Sequence, residues 1–450
     1  MSELEQAASA AVEAAIAAGA DEADAWCEES AEREIRVYDG EVESLTDAAS
    51  RGIGVRVFRG GRLGYAFGTD LSTDAVAALA READEAAAVA DPDEFAGLPE
   101  DPGAADVNGL RSDELGKWST ERKVELALAV ERAARAHPEV SQVEQVVYAD
   151  ASGRAALANS RGFSGAFEST SAWSYASAFA GEGADLMTGL GLGLGRDPAA
   201  LDPEAIGREA AERAAELKGA RQPASRHVPV VLDAFVAASF IGFIGGMVSA
   251  DAVQRGRSLF ADKEGEEIAS AHLRVADDGT VPDGLVSAPF DGEGSPRRRN
   301  TLIEDGRLRT FLFDARTARK AGRETTASAE RGSYRTPPSV GTSNLVMEGG
   351  DGGSLADLVS RAGDGLYVTD VAGLHSGVNP ISGNFSVGAT GRLIEGGELG
   401  RPVREITIAS DLVSMLKSVQ AVGAERRWVP FGGSVQAAPV LLAGMAVSGS

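Results

Sequence analysis

One cysteine, six lysines and four histidines are all that this chain of 450 residues holds of three chemically versatile side chains. With Cys27 alone, no intramolecular disulfide and no cysteine-based zinc cluster can form, which fits a reducing compartment. His137, His227, His272 and His375 lie far apart, and none has a second His or a Cys at helical ligand spacing. There is no Walker A sequence and no Gly-x-Ser-x-Gly elbow. Positive charge is scarce too: 43 Lys+Arg stand against 68 Asp+Glu, a net charge of −25. Nucleic-acid binding needs clustered cations to displace counterions. The one dense run, Arg297-Arg298-Arg299, is flanked by Glu293, Glu304 and Asp305, so it reads as a solvated strand edge or a carboxylate clamp. Nucleic acid is not the expected partner.

What is abundant is acid, alanine and glycine. That balance, poor in lysine, is the composition of proteins from salt-loving organisms, where concentrated salt screens repulsion among surface carboxylates. An acidic protein of an ordinary high-GC bacterium is the alternative. The segment MSELEQAASAAVEAAIAAGADEAD is acidic and amphipathic and lacks the basic region of an export signal, so the expected location is cytoplasmic. The longest apolar run, Val228 to Val248, has one ionisable side chain, Asp233. Its 17 uncharged residues from 234 to 250 reach the lower edge of a membrane span. Three glycines, two serines and the lack of an adjoining basic flank favour a buried helix instead.

A chain of this length is expected to form two or three domains. The pattern predicts an α+β fold: an N-terminal α+β domain over 1–225, then a β-rich domain over 226–450. The first contains two helix and antiparallel-strand units, about 1–90 and 118–222, joined by a Pro-, Gly- and Asp-rich linker at 91–117. Within the first unit, apolar positions recur at helical spacing up to Gly19, and a second helix is expected at about Thr73 to Val89. Between them the runs alternate, punctuated by Asp39-Gly40 and Gly60-Gly61 as hairpin turns. The second unit reads as a helix from Ser119 to His137, alternating strands, and a helix closing near Gly219. In the second half, Asp278-Gly279, Asp305-Gly306, Gly352-Gly353, Gly396-Gly397 and Gly432-Gly433 separate short strands.

Two segments invite a chemical reading. GLGLGLG at 189–195 lacks the glycine spacing of a dinucleotide loop. Its strict alternation places Leu190, Leu192 and Leu194 on one strand face, with glycine on the other for close packing of a backbone. DVAGLHSGVNPISGNFS is dense in polar side chains: Asp370, His375, Ser376, Asn379, Ser382 and Asn384. Loops of this kind can offer amide and hydroxyl groups to a ligand, and an ordinary polar turn is the plainer reading.

The C-terminal half resembles the TldD/PmbA family. The resemblance rests on SAPFDGEGSPRRRNTLIEDGRLRTFLFDARTARKAGRETTASAERG (287–332), on GLYVTDVAGLHSGVNPISGNFSVGATGRLIEGGELGRPVREITIASDLVSMLKSVQAVG (365–423), and on the closing GGSVQAAPVLLAGMAVSG. Its most specific part is Pro289-Phe290-Asp291-x-Glu293-Gly294, followed by the Glu304-Asp305-Gly306 hairpin. The resemblance implies two kinds of subunit. TldD-type subunits carry His-Glu-x-x-x-His on a helix plus a late cysteine, which together bind zinc. PmbA-type subunits, also called TldE, lack this set and pair with TldD in a peptidase complex. Here the helix position aligns with about Gly242 to Met247, without His or Glu, and the late position reads Phe431-Gly432-Gly433.

A PmbA/TldE-type subunit is therefore expected, with no catalytic or metal-binding residue and no cofactor of its own. Zinc is expected in a TldD-like partner. The chain would shape a cavity for unfolded or small peptides, in a homo- or hetero-oligomer, away from nucleic acid and membranes. His375, Ser376, Asn379, Ser382 and Asn384 are its candidate peptide-binding loop. Two other readings are a stand-alone hydrolase using His375 and Asp370, and an interaction protein of the gyrase-modulator kind.

Overall fold

A computed structural model describes residues 1–430 and 433–449. The first half opens with helix α1 (Glu3–Ala17), strands β1 (Glu22–Tyr38), β2 (Glu41–Arg59) and β3 (Arg62–Gly68), and helix α2 (Thr73–Val89). The same order then recurs: α3 (Thr120–Arg135), β4 (Val140–Asn159), β5 (Ser164–Ala180), β6 (Met187–Gly195) and α4 (Pro203–Glu216). Local chemistry sets the ends. Ser2 and Glu5 form a capping box on α1, Ser119 caps α3, and Asp202 caps α4 ahead of a proline at its first turn. At Asp39-Gly40 and Gly60-Gly61 both central φ angles are positive (54° and 78°, 58° and 70°), the geometry tight hairpins require.

The two units share one sheet. β1 pairs antiparallel with β4, so six strands run in the order β3-β2-β1-β4-β5-β6. All four helices lie on one face. α1 and α2 cover one end through Ala25, Cys27, Ile53 and Val55, while α3 and α4 cover the other through Ile35, Val37, Val146 and Tyr148. The alternating glycines of β6 face α4. A Cβ on Gly191 would stand 2.0 Å from the Ile206 carbonyl oxygen, and one on Gly189 would be 2.2 Å from that of Ala210. Glycine there lets helix and strand backbones meet directly.

The second half runs through β7 (Arg226–Leu232), α5 (Ala234–Met247), α6 (Ala250–Gln254), β8 (Arg274–Asp278), β9 (Arg299–Glu304), β10 (Arg307–Leu308), α7 (Ala315–Ala321), β11 (Ala329–Glu330), β12 (Ser339–Val340) and β13 (Asn344–Glu348). It continues with α8 (Leu355–Ala362), β14 (Gly365–Ala372), α9 (Leu374–Gly377), β15 (Asn384–Glu395), β16 (Glu398–Asp411), α10 (Leu412–Lys417), β17 (Val419–Val422), β18 (Arg427–Val429), β19 (Ser434–Ala437) and β20 (Val440–Ser448). One six-stranded sheet is ordered β10-β9-β8-β13-β19-β18 and the other β16-β15-β14-β7-β20-β17. An added β16–β20 pairing closes the second sheet on itself. The fold is thus α+β with a β-rich C-terminal half.

Helix α5 is the pivot of that half. Asp233 caps it by accepting the Phe235 N–H at 2.9 Å, and ten of its residues from Ala234 to Met247 are buried. It packs on β13, β19 and β14 within the largest core cluster. No helix among the described residues is long and apolar enough to cross a membrane.

Candidate functional site

The face of α5 left partly open is Ser239, Gly242, Phe243 and Gly246, positions that align along one side of a helix. At its N-terminal end lies a cleft of about 220 Å³, between α4 and β6 on one side and α5 and β14 on the other. Its charged groups are held inward. Arg213 donates to both Asp233 oxygens (3.3 and 3.2 Å) and to the Thr369 carbonyl (3.1 Å). The Tyr367 hydroxyl donates to Asp233 at 2.6 Å. Burial, with Asp233 beside it, pushes the Tyr367 phenol far above its usual value and keeps it protonated. The Ser239 hydroxyl donates to the Phe235 carbonyl at 3.0 Å. Asp370 and Glu216 add carboxylates to the lining. Among its described lining residues none is an activated nucleophile.

The polar loop predicted from sequence follows directly from β14 and rests on α5. Phe385 and Phe240 meet with ring centroids 5.2 Å apart, anchoring its far end. Gly373 turns the chain with φ of +85°. The Asn379 side chain accepts from the N–H groups of Ile381 and Ser382, both at 2.9 Å, an Asx turn. Ser376 donates to the Gly373 carbonyl, and the Ser382 hydroxyl accepts from the Asn384 N–H, each at 3.3 Å. Three of the five side chains are therefore engaged in shaping their own loop. His375 and Asn384 are exposed, and their side chains make no hydrogen bond among the described residues. His375 and Asp370 form no ion pair among the described residues, whereas His272 Nδ1 lies at hydrogen-bond distance, 3.0 Å, from the Asp351 carboxylate.

Nothing on α5 suits a metal. Gly242 to Met247 offers no imidazole, carboxylate or thiolate. Among the described residues, no group of three or more His, Cys, Asp or Glu is placed to hold an ion. Phe431 and Gly432, at the second expected ligand position, lie outside the described residues.

The sequence reading missed the role of the PFDGEG motif, which joins the two halves. Asp291 accepts from the N–H groups of Glu293 and Ser295 (both 2.9 Å) and of Ala329 (3.1 Å), fixing a tight turn. Glu293 then reaches two ways. One oxygen accepts from Arg56 on β2 at 2.8 Å, and the other from the Ala315 N–H at the start of α7, also at 2.8 Å. Arg56 in turn binds Asp24 on β1, and Asp24 accepts from Arg331 at 3.1 Å. Phe290 fills the adjoining pocket, with ring centroids 5.2 to 6.4 Å from Phe163, Phe167 and Trp26. All of these charged side chains are buried, and burial raises the carboxyl pKa of Glu293 and Asp291. Of the arginine run, Arg297 is the carboxylate clamp: it is buried and bound to Glu330, whereas Arg298 and Arg299 are exposed.

Three consecutive models of PmbA/TldA metallopeptidase domains match this chain: domain 1 over residues 23–90, the central domain over 113–218 and the C-terminal domain over 225–449. The chain belongs to the PmbA/TldD family. It is 30% identical to the metalloprotease PmbA of Escherichia coli O157:H7, covering 91% of this chain and 88% of that one. It is 28% identical to the PmbA homolog of Haemophilus influenzae, over 100% and 96% of the two chains. Among solved structures, a Thermotoga maritima protein described as a candidate modulator of a DNA gyrase superposes with a TM-score of 0.87 at 27% identity, covering 95% and 96%. TldE of Thermococcus kodakarensis shares the fold, with a TM-score of 0.90 at 23% identity over 97% and 99%. The PmbA/TldD halves are joined here by the motif that carried the sequence resemblance, whose chemistry is structural.

Proposed function

We propose that this chain is the metal-free, PmbA/TldE-type subunit of a two-subunit peptidase, and that it shapes the peptide-holding surface beside a zinc-bearing, TldD-like partner. The observation that carries this is the composition of α5. Where the resemblance puts two histidines and a glutamate, the helix has glycine, phenylalanine and methionine packed into or against an apolar core. A zinc site needs three strong donors and an open position, and these residues supply neither. The loop 373–386 remains suited to peptide contact. Its backbone is fixed by its own side chains, its exposed His375 and Asn384 are uncommitted, and Ile381 is an exposed apolar tip at 59% of its surface. A rigid loop holds extended peptide at lower entropic cost than a flexible one.

Two measurements test the proposal. Elemental analysis of the purified chain is expected to find no stoichiometric zinc, and mixing with a TldD-like partner is expected to give a stable complex that cleaves unfolded peptide. Zinc bound at one per chain, lost together with peptidase activity of the isolated protein, would overturn it. So would a chain that stays monomeric beside the partner in its native salt.

A further inference from the structure

Between its two helix pairs the helix-bearing face of the N-terminal sheet carries a groove, one wall of which is segment 111–118. The groove has a volume of about 1040 Å³. Strand register shows how it is built. Arg51, Glu29, Arg154 and Glu168 lie abreast across β2, β1, β4 and β5, giving a row of alternating charge. Four residues further along β1, Asp47, Arg33 and Asp150 form a second such row. Between them runs a row of small side chains: Ala49, Ala31, Ser152 and Thr170. The charge rows are cross-linked: Arg154 bonds Glu168 at 2.8 Å, Arg33 bonds Asp47 at 2.6 Å, and Lys123 of α3 bonds Asp150 at 2.8 Å. The result is a trench with charged rims and a small-residue floor. It spans four strands, about 14 Å, and its rims stand roughly 14 Å apart.

We propose that this trench is a second peptide site, which takes four or five residues of an extended polypeptide lying across the strands. The proposal rests on the peptide reading above and adds a location remote from α5 and the 373–386 loop. Ala31, Ala49 and Ser152 are exposed, so a backbone can approach the floor closely. Each rim shows both signs, and the charged side chains lining the groove number six acidic and five basic within a molecule of net −25. A near-neutral lining of alternating donors and acceptors complements the dipoles of a peptide backbone. It gives no advantage to a ligand of strong net charge, such as a nucleotide or a polyamine. At one end Leu110 closes the trench by accepting from the Thr170 N–H at 2.9 Å. The other end opens at the edge of β2, where β3 pairs only from Ile53 onward, so a bound chain can leave.

The test uses the full chain and a fluorescein-labelled, net-neutral, unstructured 15-residue peptide of Gly, Ser and Ala, read by anisotropy. Ala31→Trp and Ser152→Trp fill the floor from exposed positions and are expected to weaken binding at least tenfold without lowering the melting temperature. Val89→Trp, exposed elsewhere, is expected to bind as wild type. A benzophenone-bearing version of the peptide is expected to cross-link to the trench, a readout that holds even where a tryptophan variant misfolds. Wild-type affinity in both folded floor variants, or cross-links confined to residues 373–386 and α5, would overturn the trench while leaving the proposed subunit role intact. Trench cross-links in a chain that forms no active complex would do the reverse.

Discussion

At the residue scale, buried charges make the sharpest predictions, one within the C-terminal half and one at the joint between the halves. Asp277 is fully buried and accepts from the Ser343 N–H (2.7 Å) and hydroxyl (3.0 Å). Burial pushes its carboxyl up to about 7, against the opposing pull of Arg297. A carboxyl raised on folding keeps its proton in the native state while the unfolded chain ionises. Stability from this group is therefore full below about pH 4 and falls as pH rises toward 7, with a slope of up to about 1.4 kcal/mol per pH unit. Asp277→Asn mimics the protonated form, so the expected result is a flatter stability profile between pH 4.5 and 7 in urea titrations. An unchanged slope would contradict the assignment. Arg331 gives a second case. Removing it leaves Asp24 to share Arg56 with Glu293, and Arg331→Ala is expected to cost about 3–5 kcal/mol, as when other buried pairs are broken. Denaturant midpoints would show this directly, and a cost below about 1 kcal/mol would mean that Arg56 alone satisfies Asp24.

At the scale of elements, strict alternation and turn chemistry were readable, and contacts between distant segments were not. Helix α1 was legible from its apolar period, and the first two hairpins from their Asp-Gly and Gly-Gly turns. The alternating glycines of β6 also announced close backbone packing, and α4 supplies that backbone. Gly191→Val should consequently drive the helix off the sheet. The expected loss exceeds about 3 kcal/mol, compared with about 1 kcal/mol or less for Leu190→Val on the other face. Equal losses in thermal melts would show that the helix can shift at no great cost. The Asp24–Arg56 pair shows why other features stayed hidden. Counting back from the Asp39-Gly40 turn sets Asp24 opposite Val55, but a bulge between Arg36 and Val37 moves the register by one and brings Arg56 to Asp24. Nothing in the local sequence marks that bulge. Segment 91–117 was read from its composition as a linker or long surface connection; the contacts it makes with the second half were not readable, the carbonyls of Phe95, Gly97 and Leu98 accepting from Arg319 and the Ala105 N–H donating to the Pro289 carbonyl. In the candidate site, the polar density of 375–384 was legible. That most of it serves the loop's own turn depends on which backbone groups the fold brings within reach.

For the whole molecule, the question is how a chain of net charge −25 stays folded while it buries further carboxylates. Two kinds of electrostatics operate, and salt separates them. The exposed carboxylates repel one another through water, and the distance over which they do so shrinks from about 10 Å at 0.1 M salt to about 3 Å at 1 M. The joint of Asp24, Arg56, Glu293 and Arg331 is shut off from solvent, so mobile ions screen it little. Raising KCl from 0.1 to 2 M should accordingly lift the melting temperature of the wild type by relieving surface repulsion. The stability lost in Arg331→Ala should be nearly the same at both salt concentrations. A melting temperature that is flat or falls with salt would mean that the acidic surface imposes no strain, and the salt-adapted reading of the composition would go with it. A penalty for Arg331→Ala that shrinks in proportion to screening would place the joint within reach of solvent ions. In that case the charges joining the two halves would not be shut off from solvent as the Asp24, Arg56, Glu293 and Arg331 arrangement has them.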